Sequence, residues 1–173
     1  MFKANSLFLA GVLAVLSTQL VAQGLDLPKN ITLKYTVDYA TYEPYVAKCV
    51  KWIETTPLDQ DKDRHSDAYG FLFNWVNGAP NVHVDIQPAF LNIKQKKNFP
   101  LLVVYMGEWS LYELKNGDKS NPAQAAMQAI RGAIKVYKKG SSFAKDKNLE
   151  KLIALDEKGQ LEKFVEANLP RKK

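Results

Sequence analysis

The fold of this chain is constrained most by one apolar run, FPLLVVYMGEWSLYEL, which covers residues 99–114. Its first half is apolar on every side, a pattern that fits a buried helix or a buried strand equally well. The whole run, however, is too long for an ordinary strand. Asn98 and Pro100 are helix start signals, and Asn116-Gly117 is a helix stop signal. We therefore predict a central, buried helix over residues 100–115.

Amphipathic patterns on both sides of this run predict an all-α protein. Apolar residues recur at helical spacing, with capping or breaking residues at the ends of each pattern. The clearest pattern has Asn121 as N-cap and Pro122 in its first turn, and it stops at Gly140. Its short connection to the central helix predicts an antiparallel hairpin. We expect a compact bundle of about six to seven short-to-medium helices, over residues 43–55, 64–77, 85–93, 100–115, 121–139, 148–158 and 160–168.

In two short segments apolar and polar residues alternate, as they do in strands. Residues 31–37 place Ile31, Leu33 and other apolar side chains on one face. Because no run of equal strength is present to pair with them, we interpret residues 23–40 as an extended lead-in, with a single short strand as the alternative. Residues 82–86 also alternate, but Pro88 interrupts them. Here we predict a brief extended piece followed by a helix that Asp85 caps.

The chain begins with a pattern that is typical of secretory signal peptides. Lys3 supplies a basic start, residues 7–16 are apolar, and Val21-Ala22 precede a cleavage position. The apolar segment is too short to span a bilayer, which needs about 20 residues. We expect residues 1–22 to be removed and the protein to be periplasmic or extracellular, without a transmembrane segment. An uncleaved N-terminal anchor is the alternative interpretation.

The remaining chain is predicted to form a single domain. Residues 41–168 make up the helical domain, and residues 169–173 form a basic tail that we expect to be disordered. Cys49 is the only cysteine, so no intramolecular disulfide can form. The apolar core therefore has to stabilise the fold.

The charge balance is compatible with an anionic partner and does not favour a nucleic acid. The net charge is +6, from 24 basic and 18 acidic residues. The excess lysines are spread over several clusters, which are usually solvated faces. An anionic envelope component, such as lipid headgroups or a cell-wall polymer, would suit them. A recognition pattern of interleaved aromatic and basic residues, which nucleic-acid binding would favour, is missing.

Four short motifs give the chain a resemblance to known proteins. They are Thr56-Pro57-Leu58, Trp75 followed by Ala79-Pro80, the pair Val82-x-Val84, and the closing Leu161-x-x-Phe164. On these motifs the chain resembles a loose set of small exported all-helical bacterial proteins of unknown function. The resemblance implies a helical exported domain, and it implies no activity.

The acidic loop before the second helix has part of a calcium-binding pattern. Asp59, Asp61 and Asp63 occupy the first, third and fifth positions of a calcium loop. Arg64 stands where a glycine makes the turn, and Gly70 stands where a bidentate glutamate closes the shell. The alternative is a solvated loop whose Asp63 caps the next helix. No zinc-ligand spacing is present, and we expect no cofactor.

Glu108 is the candidate catalytic residue, because it interrupts the apolar run beside Trp109. A carboxyl group against an aromatic wall can have a raised pKa and act as a general acid. Glycan hydrolysis would also require a second carboxylate about 5–9 Å away. The alternative is that Glu108 lies on a water-facing edge of the helix. His65 is interpreted as a surface residue at a helix start.

A tyrosine cluster supplies the candidate partner surface: Tyr39, Tyr42 and Tyr45 lie at the start of the first helix. Our leading hypothesis is a non-enzymatic exported domain that binds a protein or an envelope component. The alternatives are a cell-wall or lipid hydrolase with Glu108 as general acid, and an immunity-type inhibitor of a secreted toxin.

Overall fold

The computed structural model describes residues 24–140 and 143–170, and within them the protein is all-helical. Its helices are α1 (Thr36–Thr55), α2 (Lys62–Gly78), α3 (Phe99–Asn116), α4 (Pro122–Lys139), α5 (Lys147–Glu157) and α6 (Leu161–Asn168). The predicted all-α bundle is confirmed. The predicted signal peptide and the last three residues of the predicted tail lie outside the described part.

The central apolar run is helix α3, as predicted, and it contacts α1, α2 and α4. Leu101, Val103 and Val104 are fully buried in its first turns. Each such side chain stabilises the fold by about 1.5–3 kcal/mol relative to an exposed one. Pro100 lies in the first turn, where its missing N–H group has no helical partner to lose.

Two glycines allow the helices around α3 to approach closely. A Cβ atom on Gly107 of α3 would lie 2.5 Å from Val50 of α1, and one on Gly132 of α4 would lie 2.5 Å from Cγ of Glu108. Both distances are far shorter than van der Waals contact. The largest helix–helix interface is the one between α3 and α4, which form the predicted hairpin.

The extended lead-in is shorter than we expected, because α1 begins at Thr36. The Asp38 carboxylate accepts hydrogen bonds from the backbone N–H groups of Lys34 and Tyr35, at 2.9 and 2.8 Å. This cap lets the helix start before Pro44, which therefore lies inside α1 rather than in its first turn.

The prediction of a helix after Asp85 is wrong. Only one turn forms there, in which Phe90 and Leu91 donate backbone hydrogen bonds to Gln87. Side chains of α3 hold the preceding segment extended: Tyr105 donates to the Asp85 carbonyl at 2.8 Å. The Asp85 carbonyl is therefore satisfied by a distant side chain rather than by a helical hydrogen bond.

Candidate functional site

A groove lined by lysines lies between the segment that precedes α3 and the first turn of α5. Its volume is about 490 Å³. Its basic side chains are Lys94, Lys145, Lys147 and Lys151, which we call the lysine groove. Asp146 is the only acidic residue among its described lining residues.

A buried asparagine brings the two sides of the lysine groove together. Asn98, at the start of α3, is completely buried. Its Nδ2 donates to the Ala144 carbonyl at 3.0 Å, and its Oδ1 accepts from the Ala144 N–H at 2.9 Å. The chain that carries Lys94 is thereby tied to the loop that carries Lys145. The asparagine side chain makes these long-range bonds and does not cap α3.

The first turn of α5 completes the groove. The Asp146 carboxylate caps this helix by accepting from the N–H groups of Asn148 and Leu149, at 2.9 and 3.1 Å. Asn148 Nδ2 in turn donates to the Ala89 carbonyl at 3.3 Å. The groove therefore has fixed walls, and its acidic residue is engaged in capping.

The groove carries four lysine charges against the one carboxylate of Asp146. Within residues 24–140 and 143–170, none of the four takes part in an ion pair. Four basic residues elsewhere in the described part do pair with carboxylates, among them Arg131 with Asp156 and Lys138 with Glu157. An unneutralised basic groove attracts anions and favours a ligand with several negative charges.

Glu108 lies in a second, separate pocket of about 360 Å³ between α1, α3 and α4. Gln128 Nε2 donates to Oε2 of Glu108 at 2.7 Å. Glu54 of α1, 7% exposed, faces the same pocket. Its Oε2 pairs with Lys135 Nζ at 2.6 Å, and its backbone carbonyl accepts from Lys139. Glu108 itself is half-buried, so it lies neither in the core nor on a free edge.

The surroundings of Glu108 raise the pKa of its carboxyl group from the ordinary 4.5 to about 7. Burial is the main cause, because it disfavours the charged form. The Gln128 hydrogen bond and the Lys135 charge oppose this rise, whereas the charge and a hydrogen bond of Glu54 add to it. The raised pKa lets Glu108 keep its proton closer to neutral pH than an ordinary carboxyl group does, as a general acid must.

The tyrosine cluster is partly buried and contributes to the core. The Tyr39 hydroxyl donates to the Leu33 carbonyl at 3.3 Å, and its ring packs on Trp75. Tyr42 and Tyr45 contact each other, with ring centroids 6.3 Å apart. Tyr39 also lines a cavity of about 880 Å³ between the lead-in and α2.

The acidic loop is organised as a helix start. Asp61, rather than the expected Asp63, is the N-cap of α2: its carboxylate accepts from the Arg64 N–H and pairs with the Arg64 guanidinium. Asp59 and Asp63 are exposed. In the described residues, no group of three His, Cys, Asp or Glu side chains is placed to hold a metal ion.

The interpretation of His65 as a surface residue is wrong. The side chain is buried, and its Nε2 lies 3.0 Å from the Pro57 carbonyl oxygen. Its Nδ1 lies 3.1 Å from the Tyr69 hydroxyl, and the ring packs on Trp52. Desolvation lowers the pKa of His65, which favours the neutral form.

Comparison of the chain with protein-family models, with curated proteins and with solved structures finds no match. None of the described helices has both the length and the apolar character needed to cross a membrane. Any assignment of function therefore depends on the geometry of the lysine groove and of the Glu108 pocket.

Proposed function

We propose that this protein is an exported, non-enzymatic module that binds an anionic component of the cell envelope in the lysine groove. The ligand is a lipid headgroup surface or a cell-wall polymer. The observation that carries this proposal is that four lysines, none of them in an ion pair within the described residues, line one groove whose walls two asparagine side chains hold in place.

The other non-enzymatic interpretations lack a comparable feature. A protein partner at the tyrosine cluster would meet side chains that are partly buried and engaged in internal contacts. An immunity-type inhibitor would need an exposed surface complementary to a toxin. The lysine groove, in contrast, is an open depression with four exposed lysines along it.

The proposal is tested by exchanging the groove lysines for glutamine. Lys94, Lys145, Lys147 and Lys151 are replaced together, and binding to soluble polyphosphate and to vesicles that contain phosphatidylglycerol is measured at low and high salt. A lysine near an anionic surface contributes about 1 kcal/mol, so four of them contribute about a thousandfold in affinity. We expect a loss of that order, and we expect wild-type binding to weaken at high salt.

A matched variant controls for net charge. Lys34, Lys48, Lys115 and Lys119 are exposed and lie outside the groove, and their exchange for glutamine lowers the net charge equally. This control should keep most of the affinity. Equal losses in both variants would show a diffuse charge effect and contradict a groove site.

A hydrolase with Glu108 as general acid is a second candidate, which its raised pKa supports. Its nearest carboxylate, that of Glu54, is within hydrogen-bonding reach and is paired with Lys135. Glycosidases keep their two carboxyl groups about 5–9.5 Å apart, which leaves room for the reacting atoms. Loss of turbidity in cell-wall suspensions that disappears in Glu108→Gln would establish this activity, and no clearing by wild type would contradict it.

A further inference from the structure

Two phenylalanines form an exposed apolar pair at the start of α3, four residues after the last groove residue of the preceding segment, Gln95. Phe73 of α2 is 38% exposed and Phe99, the first residue of α3, is 40% exposed. Their ring centroids lie 6.0 Å apart. A single exposed apolar side chain is ordinary on a protein surface, whereas two that contact each other make a continuous apolar patch.

Basic residues connect this pair to the groove. A 3-10 turn, Lys96–Asn98, immediately precedes α3. Lys96 and Phe99 are three residues apart, a spacing at which 3-10 geometry places side chains on the same face. The next residues towards the N-terminus are Gln95 and Lys94, which line the groove itself.

The same polar contact fixes both features. Asn98 lies between Lys97 and Phe99 in the chain, and its side chain is bonded to Ala144. The 3-10 turn, the Phe99 backbone that follows it and the Lys145 loop are thereby tied together, and Phe73 of α2 packs on the Phe99 ring. A rigid face that combines aromatic and basic side chains suits a surface that is anionic outside and apolar just beneath.

We propose that the lysine groove and the Phe73–Phe99 pair together form a docking face for an anionic lipid bilayer. The two rings enter the boundary between headgroups and acyl chains, and the lysines contact the headgroup phosphates. This inference rests on the proposed function and narrows its ligand to lipid. A soluble anionic polymer offers no apolar layer, so it would leave the aromatic pair without a role.

The test compares two probes, vesicles of phosphatidylcholine with phosphatidylglycerol, and soluble polyphosphate. Phe73 and Phe99 are both exchanged for serine in the full chain, so that the N-terminal residues contribute equally to every sample. We expect vesicle affinity to fall about tenfold or more, because two apolar side chains lose their burial. Affinity for polyphosphate should stay unchanged, which also shows that the groove remains folded.

The matched control is the exchange of Tyr35 and Val37 for serine, since both are exposed apolar residues at the start of α1. This variant should bind vesicles as wild type does. Equal vesicle binding by wild type and the Phe73/Phe99 variant would overturn the inference. So would binding of wild type to polyphosphate but not to vesicles, a result that would leave the proposed function standing. Binding to neither probe would remove both proposals.

A second variant gives a positive signal without removing apolar surface. The native tryptophans Trp52, Trp75 and Trp109 are buried, so a tryptophan introduced by Phe99→Trp reports on the docking face. Its fluorescence should shift to shorter wavelength with anionic vesicles and remain unchanged with phosphatidylcholine alone. No shift with anionic vesicles at a concentration that binds the protein would contradict insertion.

Discussion

The side-chain amide of Asn98 bonds to both backbone polar groups of Ala144, at 3.0 and 2.9 Å, across 46 residues of sequence. This pair of bonds satisfies a buried amide and at the same time fixes a loop against the start of α3. It also ties the segment that carries Lys94 to the loop that carries Lys145. One buried contact therefore stabilises both the start of α3 and the candidate binding groove.

Replacement of Asn98 by alanine should cost about 2 kcal/mol in the free energy of unfolding, because two long-range hydrogen bonds are lost. It should also weaken polyanion binding, since the two sides of the groove are no longer tied. The measurements are urea unfolding and polyphosphate affinity. Asn77→Ala is the matched control: Asn77 is exposed and bonds only to Phe73 in its own helix. Equal effects of the two substitutions would contradict the role of Asn98.

The Glu108 carboxyl group predicts a pH dependence of stability. Its pKa is about 7 in the folded protein and near 4.5 when unfolded. Between these values the folded chain holds a proton that the unfolded chain has released. The free energy of unfolding should therefore fall as the pH rises from about 4.5 to 7, by no more than about 3 kcal/mol, and then level off.

Three charged or polar groups face Glu108, and two variants test whether Glu108 causes the pH dependence. Glu54 comes from α1, and Gln128 and Lys135 come from α4. Glu108→Gln, followed by urea unfolding at several pH values, should flatten the profile in this window. Glu166→Gln, an exposed position on α6, should leave the profile unchanged. A wild-type profile that rises across the window relative to Glu108→Gln would refute the assignment.

Gly132→Ala should destabilise the fold by about 1–3 kcal/mol, because the new Cβ atom would lie 2.5 Å from Glu108. Gly70→Ala is the matched control. A Cβ atom on Gly70 meets no neighbour, so alanine there should stabilise α2 by up to about 1 kcal/mol. Thermal unfolding measures both effects.

In a double-mutant cycle, Glu108→Ala should remove much of the penalty at Gly132. Strictly additive effects would contradict the contact.

Local sequence signals predicted the helices well where the chain satisfies its own backbone. Helix α4 is an example: Asn121 accepts from the N–H groups of Ala123 and Gln124, and Pro122 starts the helix. The predicted helix after Asp85 failed for the opposite reason. The Tyr105 hydroxyl bonds to the Asp85 carbonyl at the predicted start of that helix, and no local pattern predicts a partner that distant.

The candidate sites were predictable only in part. Glu108 stood out because a charge interrupts an apolar run. Glu54 was overlooked, although it lies four residues after Val50 on the buried stripe of α1, a spacing that could have identified it. No local sequence pattern predicted that Lys94 lines the same groove as Lys145 and Lys147. It depends on the fold and on Asn98, which the sequence presents only as a helix start.

The most direct test of the central claim is a titration of the isotope-labelled protein with short polyphosphate, followed by the backbone amide resonances. We predict that the resonances that shift cluster in residues 94–98 and 145–151, and that they stop shifting in the variant with four groove lysines exchanged. Resonances around Lys34, Lys48 and Lys115 should stay in place. Shifts centred on those control lysines, or spread evenly over the surface, would contradict an anion-binding groove.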